Sequence, residues 1–129
     1  MKLLLTFLFA VVFFIVNAQD TPGKRAHHAL IYDEGLGKVI LTGGSTPLDG
    51  GNSFQFFDDV WSFDGKVWKK EASTSDQRSG VGLAYDSKNK KVMSMGGFKP
   101  NNTTVGDLRE LNGAQWKTLK DVPEMAAAE

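Results

Sequence analysis

The chain has 129 residues, with 15 basic side chains, 15 acidic side chains and no cysteine. This balanced charge argues against surfaces that bind nucleic acid or anionic membranes through bulk positive charge, so no nucleic-acid partner is expected. Without cysteine the chain can form neither a disulfide nor a lipid-modified cysteine. The length suits one small domain.

Residues 1–18 have the layout of a secretory signal peptide. One lysine precedes an apolar run of 14 residues, and Val16 and Ala18 suit the positions before a signal-peptidase cut. The run is shorter than the ~18–20 residues that cross a bilayer, which makes a retained anchor the weaker alternative. We predict cleavage between Ala18 and Gln19, a linker over residues 19–24, and a secreted or periplasmic product without a stable membrane span.

A repeat occupies most of the remaining chain. RAHHALIYDEGLGKVILTGG (residues 25–44) aligns with RSGVGLAYDSKNKKVMSMGG (residues 78–97) at an offset of 53, with eight identities. DVWSFDGKVWKK (residues 59–70) aligns with DLRELNGAQWKT (residues 107–118) at an offset of 48, with four identities. Chance would give about two identities in all, so the two copies are expected to fold alike. We interpret as structural the shared positions Tyr32/Tyr85, Gly43/Gly96, Gly44/Gly97, Gly65/Gly113 and Trp68/Trp116.

Each copy is predicted to form four short antiparallel strands, which in the first copy cover residues 27–32, 38–42, 59–63 and 67–70. Asp64-Gly65, and Asn112-Gly113 in the second copy, predict type I′ hairpin turns, which need positive φ at both central residues. Apolar residues occupy both faces of some strands, as in Val39-Ile40-Leu41, which favours sheets covered on both sides. We expect an all-β fold, because no stretch after the signal peptide has convincing helical periodicity.

Three features resemble the kelch repeat: the Arg-x-x-His start, the double glycine after KVILT and the tryptophan after Asp-Gly. The local sequence is close to that of bacterial kelch-type repeats in secreted proteins. The resemblance implies that each copy is one four-stranded blade of a β-propeller. The blades would cover residues 25–77 and 78–122, with a truncated start of a third repeat at residues 123–129. Kelch propellers commonly have six or seven blades, so the resemblance implies an incomplete propeller: a fragment, a remnant, or a protomer that closes by self-association.

Two blades alone would leave two sheet faces bare. We expect Ile40, Phe63, Leu83 and Met93 on these faces, and therefore self-association, aggregation or dependence on further blades.

The alternating strand directions predict that the longer connections share one side of the molecule, at residues 45–58, 71–77 and 98–106. Loops on a rigid scaffold carry function, and in kelch proteins this side often binds the partner. The unshared aromatics of the first insertion suit recognition, although they would equally suit a small core of the insertion itself. The candidate ligand-binding residues are Phe54, Phe56, Phe57, Arg25, Arg78, Asn101 and Asn102.

Other residue pairs that could carry chemistry are better explained by structure. His27-His28 and Asp58-Asp59 are neighbours on extended segments and point apart. Gly43-Gly44 lacks the context of a phosphate-binding loop. Residues 49–52 lack the ligand ladder of a calcium loop, and we interpret them as a flexible loop. No catalytic residue, metal site or cofactor is predicted.

The leading hypothesis is a non-enzymatic kelch module that binds protein or glycan outside the cytoplasm. The alternatives are a fragment of a kelch-fold carbohydrate-active enzyme, similar to sialic-acid epimerases, and a non-functional truncated remnant. A galactose-oxidase-like copper site is disfavoured because it uses a thioether-linked cysteine, which this chain lacks.

Overall fold

The computed structural model describes residues 20–121, which are built almost entirely from β-strands. In the first repeat the strands are β1 (Ala29–Asp33), β2 (Lys38–Thr42), β3 (Ser45–Leu48), β4 (Ser53–Phe56), β5 (Asp59–Phe63) and β6 (Trp68–Ser73). In the second they are β7 (Gly82–Asp86), β8 (Lys91–Met95), β9 (Phe98–Lys99), β10 (Thr103–Thr104), β11 (Asp107–Asn112) and β12 (Gln115–Asp121).

Two four-stranded antiparallel sheets have the same layout. Sheet 1 has the order β1-β2-β5-β6, and sheet 2 has the order β7-β8-β11-β12. Both sheets carry a register shift at the same repeat position, after Val60 in β5 and after Leu108 in β11. The predicted all-β fold with two equivalent sheets is confirmed. The signal peptide at residues 1–18, its cut and the start of a third repeat lie outside the described residues.

The predicted type I′ turns are wrong. Positive φ occurs at Gly65 (99°) and Gly113 (61°), whereas Asp64 and Asn112 do not have it. In sheet 1 the Asp64 carboxylate accepts the N–H groups of Lys66 (2.8 Å) and Val67 (2.9 Å). This side-chain turn holds a four-residue connection and leaves only the glycine in the left-handed region.

Each insertion between the second and third strands of a sheet folds back as a hairpin. β3 pairs with β4, and β9 pairs with β10. Residues 49–52 form the tip of the first hairpin, with a short 3₁₀ turn at Asp49–Gly51. The Asp49 carbonyl accepts the side-chain amide of Asn52 at 2.9 Å, which closes this tip.

The apolar core lies between the two sheets. Its buried members are Ile40, Val60, Val92 and Leu111, and its half-buried members are Ile31, Leu83, Tyr85 and Trp116. The expectation that Ile40 and Leu83 lie on bare faces is therefore wrong. Side chains alternate along a strand, and Ile40 and Leu83 are on the two faces that meet.

The remaining two faces point away from this core. On sheet 1 the leading face carries Leu30, Tyr32, Val39, Phe63 and Trp68, together with the buried Leu41 and Trp61. On sheet 2 the trailing face carries Ala84, Met93, Met95, Leu108 and Glu110. The two sheets are stacked in the same orientation. The face of sheet 2 that contacts sheet 1 is therefore the equivalent of the leading face.

Candidate functional site

The two insertion hairpins lie next to each other on one side of the molecule. The rings of Phe56 and Phe98 are 6.1 Å apart between centroids. The buried hydroxyls of Ser45 and Ser79 are hydrogen-bonded at 3.2 Å, which links the starts of the two insertions. Isolated bridges pair Ala26 with Ser45 and Ser79 with Phe98, so each hairpin is anchored to the segment before its own sheet.

Between the hairpins lies a cavity of about 300 Å³, which we call the aromatic groove. Its lining residues are His27, Ser45, Phe54, Phe56, Ser79, Gly80 and Phe98. Phe54 is 56% exposed and Phe98 is 36% exposed, so two aromatic rings are available to a ligand. The volume is at the lower end of the ~300–1,000 Å³ of small-ligand clefts.

Polar groups in the aromatic groove are mostly engaged within the protein. The serine hydroxyls bond each other, and the His27 carbonyl accepts the Gly80 N–H at 2.9 Å. His27 holds a positive φ of 53°, which ends the extended backbone before β1 and turns its carbonyl towards the second repeat. The groove therefore presents mainly aromatic surface, and His27 is the one ionisable residue among its described lining residues.

Arg25 is at the start of the first repeat with its side chain only 2% exposed. It forms a two-pronged ion pair with Asp59, with Nη2 to Oδ2 at 2.9 Å, and donates to the Gly43 carbonyl at 3.1 Å. Burial opposes ionisation of Asp59, but hydrogen bonds from Arg25 and Trp61 outweigh it and lower the pKa of this carboxyl. The positive charge of Arg25 is thus balanced by Asp59 and does not face the aromatic groove.

Arg78 repeats this arrangement in the second copy. Its guanidinium pairs with Asp107, with Nη2 to Oδ2 at 2.8 Å, and donates to the Gly96 carbonyl at 3.0 Å. The hydrogen bond from Arg78 lowers the pKa of Asp107, and burial of the carboxyl opposes that shift. Arg78 also donates to Asp76 at 2.9 Å, a contact without a counterpart in the first copy.

Arg109 also carries a buried charge, and it was not among the residues predicted from the sequence. It stands where the first copy has Trp61, donates to Asp76 at 2.7 Å and to the Ser94 hydroxyl at 2.8 Å, and lies over the Trp116 ring. Burial, reinforced by the nearby positive Arg78, lowers the pKa of Arg109 to about 10. The signal available in the sequence was an arginine at a position that is aromatic in the other copy.

The other candidates lie apart from the aromatic groove. Phe57 is half-buried beneath Arg25, whose guanidinium carbon is 3.8 Å from the ring centroid. Asn101 and Asn102 are exposed at the β9–β10 tip. Of the seven candidates the structure brings together Phe54 and Phe56.

Five of the seven lining residues of the groove were not among the candidates, and two of these five, Phe98 and His27, have ring side chains. Phe98 directly follows the second double glycine, and its first-copy equivalent is Ser45. Both residues begin the first strand of an insertion hairpin. An aromatic in the second insertion, matching those of the first, was the signal that could have identified it. His27 was interpreted from the sequence as a structural residue of the first strand.

The double glycines belong to the junction between the sheets. The Gly44 N–H donates to the Arg78 carbonyl at 2.8 Å. A Cβ on Gly43 would lie 2.5 Å from that carbonyl oxygen, so the close approach requires glycine. On Gly96, the equivalent atom would lie 3.4 Å from the Val105 oxygen.

Among residues 20–121 no group of three or more histidine or acidic side chains is arranged to hold a metal ion. Within the same range no helix has the length and apolar character needed to traverse a bilayer. A scan against protein-family models finds no match, and a search of curated proteins finds no significant relative.

Proposed function

We propose that the chain is a kelch-type binding module, acting outside the cytoplasm, that holds an apolar side chain of a partner protein in the aromatic groove. The observation that carries the proposal is the pair of exposed rings, Phe54 and Phe98, facing one cavity between two anchored hairpins. Aromatic residues are enriched at contact surfaces because they bury much area with few rotatable bonds.

The chemistry of the lining favours a protein segment over a glycan. A sugar presents hydroxyls that need donors and acceptors beside the stacking ring. In the aromatic groove the two serine hydroxyls already bond each other. A protruding leucine, methionine or aromatic side chain needs no such partners and gains free energy by leaving water.

Selection from a random peptide display library on the immobilised chain tests this proposal. We expect enriched peptides to share an apolar anchor residue. The double variant Phe54→Ala/Phe98→Ala should weaken their binding by about tenfold or more, since buried aromatic anchors dominate such contacts. Leu48→Ala is the matched control, because Leu48 is a 42% exposed apolar residue on the same hairpin and does not line the groove.

Two results would contradict the proposal. One is peptides that bind the double variant as well as the parent chain. The other is a screen in which only oligosaccharides on a glycan array bind, which would assign the groove to a sugar.

The location is tested separately. Sequencing the N terminus of the chain recovered from the envelope or medium should give Gln19, whereas a cytosolic chain that begins at Met1 would contradict export.

A further inference from the structure

The leading face of sheet 1 is an exposed apolar surface. Leu30 is 51% exposed and Tyr32 is 56% exposed, next to three half-buried members of the same face. Leu41 and Trp61 lie on the same face but are buried, and they correspond to the polar Ser94 and Arg109. The other five members have equivalents in sheet 2 that all contact the core between the sheets. The equivalents are Leu83, Tyr85, Val92, Leu111 and Trp116.

The trailing face of sheet 2 has the complementary character. Ala84, Met93 and Leu108 are the equivalents of Ile31, Ile40 and Val60, which form the sheet 1 side of the core. Met95, the equivalent of Thr42, is 40% exposed. The chain therefore displays both halves of a contact that it also makes internally.

Backbone groups at the junction repeat in the same way. The Arg78 backbone carbonyl accepts the Gly44 N–H at 2.8 Å, and the Arg78 backbone N–H donates to the Phe57 carbonyl at 3.3 Å. The third bond runs from the Gly80 N–H to the His27 carbonyl. In the repeat, Arg78 corresponds to Arg25 and Gly80 to His27.

The corresponding N–H groups are free to form these bonds a second time. They belong to Arg25, His27 and Gly97, and none of them has a hydrogen-bond partner among residues 20–121. The acceptors for Arg25 and His27 would be the carbonyls of Val105 and Gly80, and the Gly97 N–H would donate to the Arg25 carbonyl.

We propose that the leading face of one copy docks on the trailing face of a second copy, head to tail, repeating the contact between sheets 1 and 2. A contact between two leading faces would bring Arg25 and His27 N–H donors together without the carbonyls that accept them. The contact is heterologous, so each copy keeps one face open for a further copy. This inference is independent of the aromatic groove.

A mixture of two variants, each with one of the two faces blocked, tests the proposal. Both variants are used in the form that the host cell produces. Leu30→Lys places a charge on the leading face and Met95→Lys places one on the trailing face. Each variant alone should lose self-association in sedimentation velocity, whereas an equimolar mixture should form a 1:1 heterodimer through the two intact faces. Leu48→Lys is the matched control and should associate like the parent chain. Circular dichroism checks that each variant is folded.

Three results would overturn the proposal: a parent chain that stays monomeric at the highest soluble concentration, a Met95→Lys variant that still dimerises, or a folded mixture without heterodimer.

A second measurement uses the absence of cysteine and does not depend on blocked faces. Leu30→Cys mixed with Ala84→Cys should give an oxidised heterodimer, because the equivalents Leu83 and Ile31 contact the same core. Disulfide formation by Leu48→Cys with either partner at the same rate would count against a specific contact.

Discussion

Sheets 1 and 2 carry the same repeat but differ in what covers one face. Tyr32 and Tyr85 are equivalent, yet Tyr32 is 56% exposed while Tyr85 packs against the core. The Tyr85 hydroxyl also accepts the Gly35 N–H from the other sheet at 2.9 Å. The difference shows that burial here is set by the position of a sheet in the stack and not by the residue alone.

The two sheets also use different chemistry at one equivalent position. In sheet 1 the Trp61 indole donates to Asp59 at 2.7 Å. In sheet 2 Arg109 occupies that site and pairs with Asp76, which also holds Arg78. The second copy therefore joins its arginines through a shared carboxylate, while Arg25 in the first copy depends on Asp59 alone for an opposite charge among the described residues.

The largest expected difference in the free energy of unfolding is between substitutions at Val92 and at its equivalent, Val39. Val92 is 1% exposed between the sheets, and Val39 is half-buried on the leading face. Val92→Asp buries an unpaired carboxylate and should lower the free energy of unfolding by at least about 3 kcal/mol. Val39→Asp should lower it by about 1 kcal/mol. Urea unfolding followed by circular dichroism measures both, and equal losses would mean that the two faces are equally covered.

The next comparison is between the two arginine–aspartate pairs. Asp59→Asn leaves the buried Arg25 charge without a carboxylate and should lower the free energy of unfolding by about 3 kcal/mol. Asp107→Asn leaves Arg78 paired with Asp76 at 2.9 Å, so a loss of about 1 kcal/mol is expected. A larger loss for Asp107→Asn in the same urea titration would show that the shared carboxylate does not compensate.

These pairs also set the response to acid. Asp59 and Asp107 both have folded pKa values below the ordinary 3.8. Because a lowered carboxyl pKa stabilises the ionised folded state, this stability is complete above the unfolded pKa and is lost as pH falls through the folded pKa. The urea midpoint should therefore decline below about pH 4. The decline should be smaller in Asp59→Asn, and an unchanged decline in both variants would assign it to other carboxyls.

A smaller difference is expected between the double glycines. Gly43→Ala and Gly96→Ala share similar positive φ values of 64° and 69°, so the backbone penalty is the same in both. Only the Gly43 substitution forces a Cβ to 2.5 Å from a backbone oxygen of the other repeat. We expect Gly43→Ala to be less stable than Gly96→Ala by about 1–2 kcal/mol in thermal melts. If copies stack head to tail, this gap should narrow as protein concentration rises.

Strand positions were predictable from the sequence because apolar alternation and turn residues recur in both copies. Which face of each sheet would be covered was not predictable. Leu30 and Leu83 are the same residue in the same pattern, so only the stacking order separates them. The structure resolves this by placing Leu83 against the core and leaving Leu30 exposed.

The site was predicted only in part, because several marked residues serve the repeat itself. Arg25 and Arg78 recur with Asp59 and Asp107, and charges that recur together are often each other's partners. The alignment of the two copies therefore indicates both arginine–aspartate pairs, although neither pair was predicted. The contribution of Phe98 depends on two insertions meeting in space, which no local pattern specifies.

The smallest expected effect concerns the two tyrosine hydroxyls. Tyr85→Phe removes the acceptor for the Gly35 N–H, the hydrogen bond that joins the β1–β2 turn to sheet 2. Because Gly35 is exposed, water can replace this acceptor, and the free energy of unfolding should fall by only about 0.5 kcal/mol. Tyr32→Phe should leave it unchanged, since the Tyr32 ring is on the open leading face. Amide hydrogen exchange gives a more sensitive measurement than unfolding: Gly35 should exchange faster in Tyr85→Phe and at the parent rate in Tyr32→Phe. If Tyr32→Phe also destabilised the protein at high concentration but not at low concentration, a second copy would be covering that hydroxyl, as head-to-tail docking requires.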